Sequence, residues 1–332
     1  MKHFEYIKAK TVEEACSLLS KHKGEAKLLA GGTEAIVRMK QRVESPQYLI
    51  DLKEISGLDT IETDKDGALR IGSLATIKTI ETSSVIKEKF GVLAQAASKV
   101  ASSQLRNRGT IGGNIYLDSR CPYFNQSYHW KKSLPLCFKA GGDVCHVAKG
   151  GKICFAVCSA DTVPALIALG AKVKMVSSKA EKTILLEDFY HKDGDGLAIN
   201  ASGADEIITQ VEIPALPAHS GGVYLKVSQR KAVDFPIVGV AALVELNGNK
   251  QCRDAKIVIG AVSPRPTRAN EAEEALRGKE IEDGLVQQAS ELALKAIRHL
   301  SNGGGHAWYR RRVVPVIVGR AVKQAAEAAE AR

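Results

Sequence analysis

The chain has 332 residues, 45% hydrophobic and 25% charged, which is ordinary globular composition and enough for two or three domains. Aromatics make up only 5%, too few for a base-stacking nucleic-acid platform, and the formal charge of +10 is scattered, with short clusters at Lys131-Lys132 and Arg310-Arg311-Arg312 that suit an acidic protein partner or an anionic substrate as well as DNA. No stretch approaches the ~20 apolar residues of a membrane helix and the first residues hold no apolar signal core, so a soluble, cytoplasmic protein contacting neither membrane nor nucleic acid is expected.

In chain order, residues 11–22 carry Val12, Ala15, Leu18 and Leu19 at helical spacing behind Thr11, an N-cap residue type with Glu14 three positions on. The apolar run Lys27–Ala30 predicts a strand leading into Gly31-Gly32-Thr33. Residues 34–40 can open a helix, and Tyr48–Leu52 reads as a second buried strand. Together these make a small α/β unit of about 55 residues. A second unit starts at Leu69-Arg70-Ile71-Gly72, with a helix over Phe90–Val100, a turn at Thr110–Asn114, an apolar helix over 162–169 and an alternating strand at Lys172–Val176. Residues 118–157 show no clean periodicity and read as an insertion. After the linker Pro214–Pro217, β-prone runs at 237–246 and 256–262 precede helices at 270–277, 283–300 and 309–329. Strands followed by helices predict an antiparallel sheet covered by helices.

Two glycine turns carry the first chemical signal. Gly31-Gly32 and Gly112-Gly113 lack Cβ atoms, so the backbone can approach an anion and offer N–H donors, with Thr33, Thr110 and Asn114 adding polar side chains. Taken singly, each is more often a plain tight turn. Neither is a G-x-G-x-x-G or a G-x-x-x-x-G-K-[ST] loop, so Rossmann and P-loop readings lack their motifs. The second signal is cysteine. Cys121, Cys137, Cys145, Cys154 and Cys158 fall within 38 positions, whereas Cys16 and Cys252 stand alone. In a reducing compartment such thiols point to a metal centre rather than disulfides. Gaps of fifteen, seven and eight residues separate the first four and only 154 and 158 form a short C-x3-C, which fits wrapping an iron–sulfur cube better than zinc knuckles. Spacing alone leaves iron–sulfur, zinc and free buried thiols open. His129 and His146 lie in the same loop and read as surface residues.

The segments Ala30-Gly31-Gly32-Thr33, Ile71–Thr76, Arg106–Asn114 and Ser159–Leu166 occur in the order seen in flavin subunits of the xanthine dehydrogenase and carbon monoxide dehydrogenase family, which the chain therefore resembles. Lys226–Arg230, Asp234, Gly260–Ala269 and Tyr309-Arg310 extend this resemblance over nearly the whole chain. It implies an α+β architecture: a two-subdomain FAD-binding fold of the PCMH type, then a C-terminal antiparallel sheet with helices. The divisions would be residues 1–55, residues 56–216 with the insertion at 118–157, and residues 217–332. Carried across residue by residue, it puts FAD against Leu28, Leu29, Ala30, Gly31, Gly32, Thr33, Glu34 and Ala35, and against Gly109, Thr110, Ile111, Gly112, Gly113 and Asn114. Asp161, Lys226, Val100 and Ile208 complete the set. Glu34-Ala35 departs from the family's usual Asp or Asn followed by Leu. By residue type alone, Asp161 reads equally as a helix N-cap and Lys226 as an exposed strand lysine.

Most members lack an insertion at 118–157. The subgroup that has one resembles the β subunit of 4-hydroxybenzoyl-CoA reductase, where the loop holds a 4Fe–4S cluster on cysteines spaced like Cys121, Cys137, Cys145 and Cys154. Cys158 is then left over, and a ligand set using it in place of Cys154 stays open. The resemblance implies an electron-transfer subunit with no catalytic residues of its own, partnered by a molybdopterin-binding large subunit and a 2Fe–2S small subunit in a dimer of heterotrimers. Electrons would pass from ferredoxin through 4Fe–4S and FAD to remove the hydroxyl of 4-hydroxybenzoyl-CoA. The alternative is the FAD subunit of a CO- or xanthine-type dehydrogenase. A zinc-loop scaffold or nucleic-acid-binding protein is the alternative from another class.

Overall fold

The computed structural model describes residues 1–192, 195–298, 300–301 and 305–332. Its α+β architecture is the one expected, built on three sheets. The first is parallel: β1 (Glu5–Lys8) and β2 (Ala26–Leu29) flank β3 (Tyr48–Asp51). Helix Val12–Lys21 connects β1 to β2. Thr11 caps it by accepting from the Glu14 N–H at 3.1 Å, and the Glu14 carboxylate reaches back to the N–H of Lys10 at 2.8 Å.

The second sheet is antiparallel, in the order β4 (Ile61–Thr63), β5 (Leu69–Gly72), β8 (Ile207–Ile213), β6 (Lys172–Val176) and β7 (Glu181–Leu185). Its buried face packs on helices Ile77–Thr82, Gly91–Ser98 and Thr162–Ala168, with Leu69, Ile71, Leu93, Val163 and Val211 fully inside. The third sheet is also antiparallel, with the order β12 (Thr267–Arg268), β11 (Cys252–Gly260), β10 (Val238–Leu246) and β9 (Ser220–Val227). Helix Ala307–Glu330 lies along it. The helix comes so close that a Cβ on Gly221 would sit 2.2 Å from the Ala325 carbonyl oxygen. No helix among the described residues is long and apolar enough to cross a membrane.

Some boundaries differ from the sequence expectations. The helix expected over 283–300 runs Asp283–Leu292 and tightens into one 3-10 turn at Ala293–Ala296; His299 lies outside the described residues. The expected turn Thr110–Asn114 is the start of a short helix, Ile111–Ile115, capped by Thr110 Oγ1, which accepts from the Gly113 N–H at 3.1 Å. The insertion holds a one-turn helix at Tyr128–Lys132 and a 3-10 turn at Phe138–Ala140. Its neck is closed by paired backbone bonds between Arg120 and Val157, at 2.8 and 3.1 Å.

Candidate functional site: a cleft beside a cysteine pocket

The loop after β2, the loop after β5 and the start of helix Ile111–Ile115 wall a cleft of about 830 Å³. The size is that of a pocket for a cofactor-sized ligand. Of the residues expected to hold FAD, Leu28, Ala30 to Ala35, Val100, Gly109, Thr110, Gly112 to Asn114, Asp161 and Ile208 all line it. Leu29, Ile111 and Lys226 do not. The Leu29 side chain packs with Met39 and Leu49, and Ile111 is in the main core.

The two glycine turns are not equivalent. The N–H groups of Gly31, Gly32, Thr33 and Glu34 donate to no acceptor among the described residues, so this loop, which lines the cleft, holds a row of open donors. Gly32 takes φ +74°, which glycine adopts without strain. In the second turn every donor but the Thr110 N–H is spent: Gly109 on Leu105, Ile111 on Ala75, Gly112 on Ser73, and Gly113 and Asn114 on Thr110. Its glycines serve close packing, since a Cβ on Gly112 would lie 2.9 Å from the Ser73 carbonyl oxygen. Asn114 Oδ1 accepts from the Thr162 hydroxyl at 2.6 Å, which leaves its amide nitrogen for a ligand.

Asp161 stands at the N-cap position of helix Thr162–Ala168 but makes no capping bond. Its carboxylate accepts instead from Tyr224 Oη at 2.8 Å and Lys226 Nζ at 2.9 Å. Burial raises its pKa to about 6, against the opposing pull of Lys226 and Tyr224. Lys226 is therefore no exposed strand lysine. Its side chain is 6% exposed, and Nζ also donates to the carbonyls of Lys99 at 2.9 Å and Asp234 at 2.8 Å. Tyr224 gave no sequence signal; its hydroxyl lies where a Cβ on Gly239, the strand partner of Lys226, would stand 2.5 Å from it.

Glu34, the departure from the family pattern, has a structural use. It pairs with Arg120, the first residue of the insertion's neck, and lies 3.7 Å from Arg38. Buried Arg38 also binds Glu44 at 2.8 Å and Asp118 at 3.0 Å. Asp118 holds Lys139 at 2.8 Å, and Lys139 Nζ bonds Ser119 Oγ at 2.6 Å and the Gly196 carbonyl at 3.1 Å. The insertion is thus fastened to the glycine loop by ions. Of the buried polar atoms on the cleft wall that have no hydrogen-bond partner, Glu34 Oε1, Arg38 Nη1 and Glu44 Oε2 sit in ion pairs, whereas Ser73 Oγ and Arg120 Nε do not, as fits a site made for a polar ligand. Sequence reasoning reached Ser73 only as part of a segment and missed Arg120.

Cys121 directly follows the cleft residue Arg120 and shares one apolar pocket with Cys145, Cys154, Phe124, Phe138 and Val147. Burial raises the Cys121 thiol, with Cys137 and Cys145 adding a smaller push; burial takes Cys154 up to about 11, with Cys121 and Cys145 among its neighbours. Cys121, Cys145 and Cys154 are therefore neighbours, with Cys137 adjoining Cys121. No group of three or more His, Cys, Asp or Glu among the described residues is drawn close enough to hold a single metal ion. Cys158 faces elsewhere, bonded through its backbone to Ser263 and Ala261 and packed in the main core.

Two family descriptions match the chain: the FAD binding domain in molybdopterin dehydrogenase over residues 2–216, and the CO dehydrogenase flavoprotein C-terminal domain over 223–325. The chain is 32% identical to the aldehyde oxidoreductase FAD-binding subunit of Escherichia coli, over 83% of this chain and 86% of that one. It is 31% identical to the nicotinate dehydrogenase FAD-subunit of Eubacterium barkeri, over 84% and 81%. The structure of carbon monoxide dehydrogenase from Hydrogenophaga pseudoflava superposes with a TM-score of 0.80 at 26% identity, covering 99% of this chain and 98% of that one.

Proposed function

Since the chain belongs to the family of FAD-binding medium subunits of molybdenum hydroxylases, we propose that its cleft holds FAD and that it relays electrons for substrate chemistry carried out in another subunit. The observation that carries this reading is the loop Gly31–Glu34, four residues that line a cleft of dinucleotide size and whose N–H groups bond no acceptor among the described residues. These donors and the Thr33 hydroxyl would hold the diphosphate. The amide nitrogen of Asn114 would take a polar oxygen, and Leu28, Val100 and Ile208 would form apolar walls. When bound, FAD exchanges electrons singly or in pairs and so joins a two-electron substrate reaction to one-electron carriers.

Relatives described as a medium chain or an FAD-subunit support partners that carry the rest of the redox chain: a large molybdenum-binding subunit and a small 2Fe–2S subunit, expected as a dimer of heterotrimers. The matched relatives include, by name, several dehydrogenases, an aldehyde oxidoreductase and a nicotine 6-hydroxylase. They favour the oxidative alternative, with electrons arriving at the flavin from a substrate such as an aldehyde, CO or a purine-like heterocycle. Reductive dehydroxylation of 4-hydroxybenzoyl-CoA, with ferredoxin as donor, has no support among them.

A specific observation favours adding a 4Fe–4S cluster to this reading. Cys121, Cys145 and Cys154 come from three separate stretches of the insertion and yet share one apolar cluster, with Cys137 adjoining Cys121. A zinc ion would gather its thiolates within one coordination sphere at about 2.3 Å each, whereas a cube presents four iron corners and suits a wider ring. The test is anaerobic purification of the full chain. It should show flavin absorbance with one FAD, and about four irons per chain in keeping with a 4Fe–4S cube. A colourless protein that binds no added FAD would sink the site; flavin without iron would sink only the cluster.

A further inference from the structure

The cleft has two lips, and both are strained. Ala101 (φ +43°) and Val233 (φ +52°), from segments far apart in the chain, both line it, and each holds a left-handed backbone conformation. For a β-branched residue such as Val233 that conformation is an outlier. The lips are joined to each other, the Val233 N–H donating to the Ala101 carbonyl at 3.0 Å. They are also joined from beneath. One ammonium, Lys226 Nζ, donates to the carbonyl of Lys99 on one lip and of Asp234 on the other, with the Asp161 carboxylate as its counter-ion. Lys226 does not line the cleft, while Ala101, Val233, Asp234 and Asp161 do. Strain of this kind persists only where the surroundings over-determine it.

We propose that Lys226 is a positioning residue that controls flavin exchange by buckling the two lips together, rather than by touching the cofactor. The inference rests on the reading that FAD occupies this cleft. The lips are held shut by the bonds to Lys226, and their backbone strain opposes closure. Weakening the buckle should open the cleft, and relieving the strain should close it. β9, which carries Lys226, belongs to the C-terminal sheet, so that sheet fastens the mouth of a cleft built by the preceding residues.

The experiment measures FAD dissociation from the full-length chain by the recovery of flavin fluorescence after dilution. Lys226→Met should speed release by about tenfold or more, as expected for losing hydrogen bonds made by a charged donor. Lys226→Arg, which keeps donors for the same acceptors, should restore most of the wild-type rate. Val233→Asn, placing a residue that tolerates the left-handed region on an exposed lip, should slow release. Opposite signs are the signature, because general loosening would speed release in both. Unchanged release in Lys226→Met, or equal acceleration in Lys226→Met and Val233→Asn, overturns the proposal. If Lys226→Met does not fold, unchanged or faster release in Val233→Asn overturns it alone. A wild-type chain that binds no FAD would bring down the site reading and this inference together.

Discussion

Gly31 stacks against the backbone of Arg108 so closely that a Cβ on Gly31 would lie 1.7 Å from the Arg108 carbonyl oxygen. The two glycine turns are thus pressed together across the cleft, and the obstacle is backbone, which cannot swing aside. Gly31→Ala should cost about 3 kcal/mol or more of stability, the size seen when a packed region is overfilled, and should cut FAD binding sharply. Gly32→Ala meets only the Leu29 and Ile36 side chains, at 3.3 and 3.4 Å, and should cost about 1–2 kcal/mol for its positive φ. Urea unfolding and FAD titration of both variants check this. Equal losses would show that the turns are not in contact as described.

The Asp161 carboxyl should be visible in the pH dependence of the flavin-free chain. Burial raises its pKa from 3.8 to about 6, so the folded state binds this proton more tightly than the unfolded state. Its contribution to stability is therefore complete below about pH 4, is lost as pH rises toward 6 and is flat above that. Relative to Asp161→Asn, the wild type should gain about 3 kcal/mol as pH falls from 7 to 4, at about 1.4 kcal/mol for each pH unit between the unfolded and folded pKa values. Denaturant unfolding at several pH values measures the difference. A parallel pair of profiles would mean that Lys226 and Tyr224 fully offset the burial.

Iron content should separate the cysteines. Cys137→Ser should lose iron while largely keeping FAD, because Cys137 sits in the insertion and does not line the cleft. Cys158→Ala should keep its iron, because that residue is buried in the main core, apart from the cluster that holds Cys121, Cys145 and Cys154. Loss of iron from Cys158→Ala with retention in Cys154→Ser would instead give the ligand set that spacing left open. Metal analysis beside the flavin spectrum decides.

The elements legible in the sequence were those whose apolar spacing is decided locally, such as helix Val12–Lys21 and strand β10. β7, with exposed Glu181, Lys182 and Thr183, has almost no apolar face, and β9 opens on Ser220-Gly221-Gly222, where small residues are required by the helix packed on them. Their pairing is a tertiary fact with no local period to read. In the site, the glycine turns and Asp161 were found through their order along the chain. That the first turn keeps its N–H groups open while the second spends nearly all of its own, that Ser73, Val233 and Arg120 join the same wall, and that Tyr224 backs Asp161, depends on contacts between residues as far apart in the chain as Ala101 and Val233.

Arg38 offers the last test, on the bond between the insertion and the glycine loop. Its guanidinium is buried and placed among three carboxylates, Glu44 at 2.8 Å, Asp118 at 3.0 Å and Glu34 at 3.7 Å, on two separate parts of the chain. Arg38→Met keeps the apolar stem but leaves these acids without their common cation, which should cost about 3–5 kcal/mol. Arg38→Lys should rescue little, since one compact ammonium cannot reach three acids spread around a planar fork. The damage should be directional: Asp118 roots the insertion, so residues 121–154 should become the first sites of protease cleavage. Asp118→Asn in the Arg38→Met background should then cost less than Asp118→Asn alone, a coupling of about 0.5–3 kcal/mol in a double-mutant cycle. Additive losses, with cleavage spread evenly along the chain, would mean that the insertion is held by its apolar pocket and not by this ion cluster.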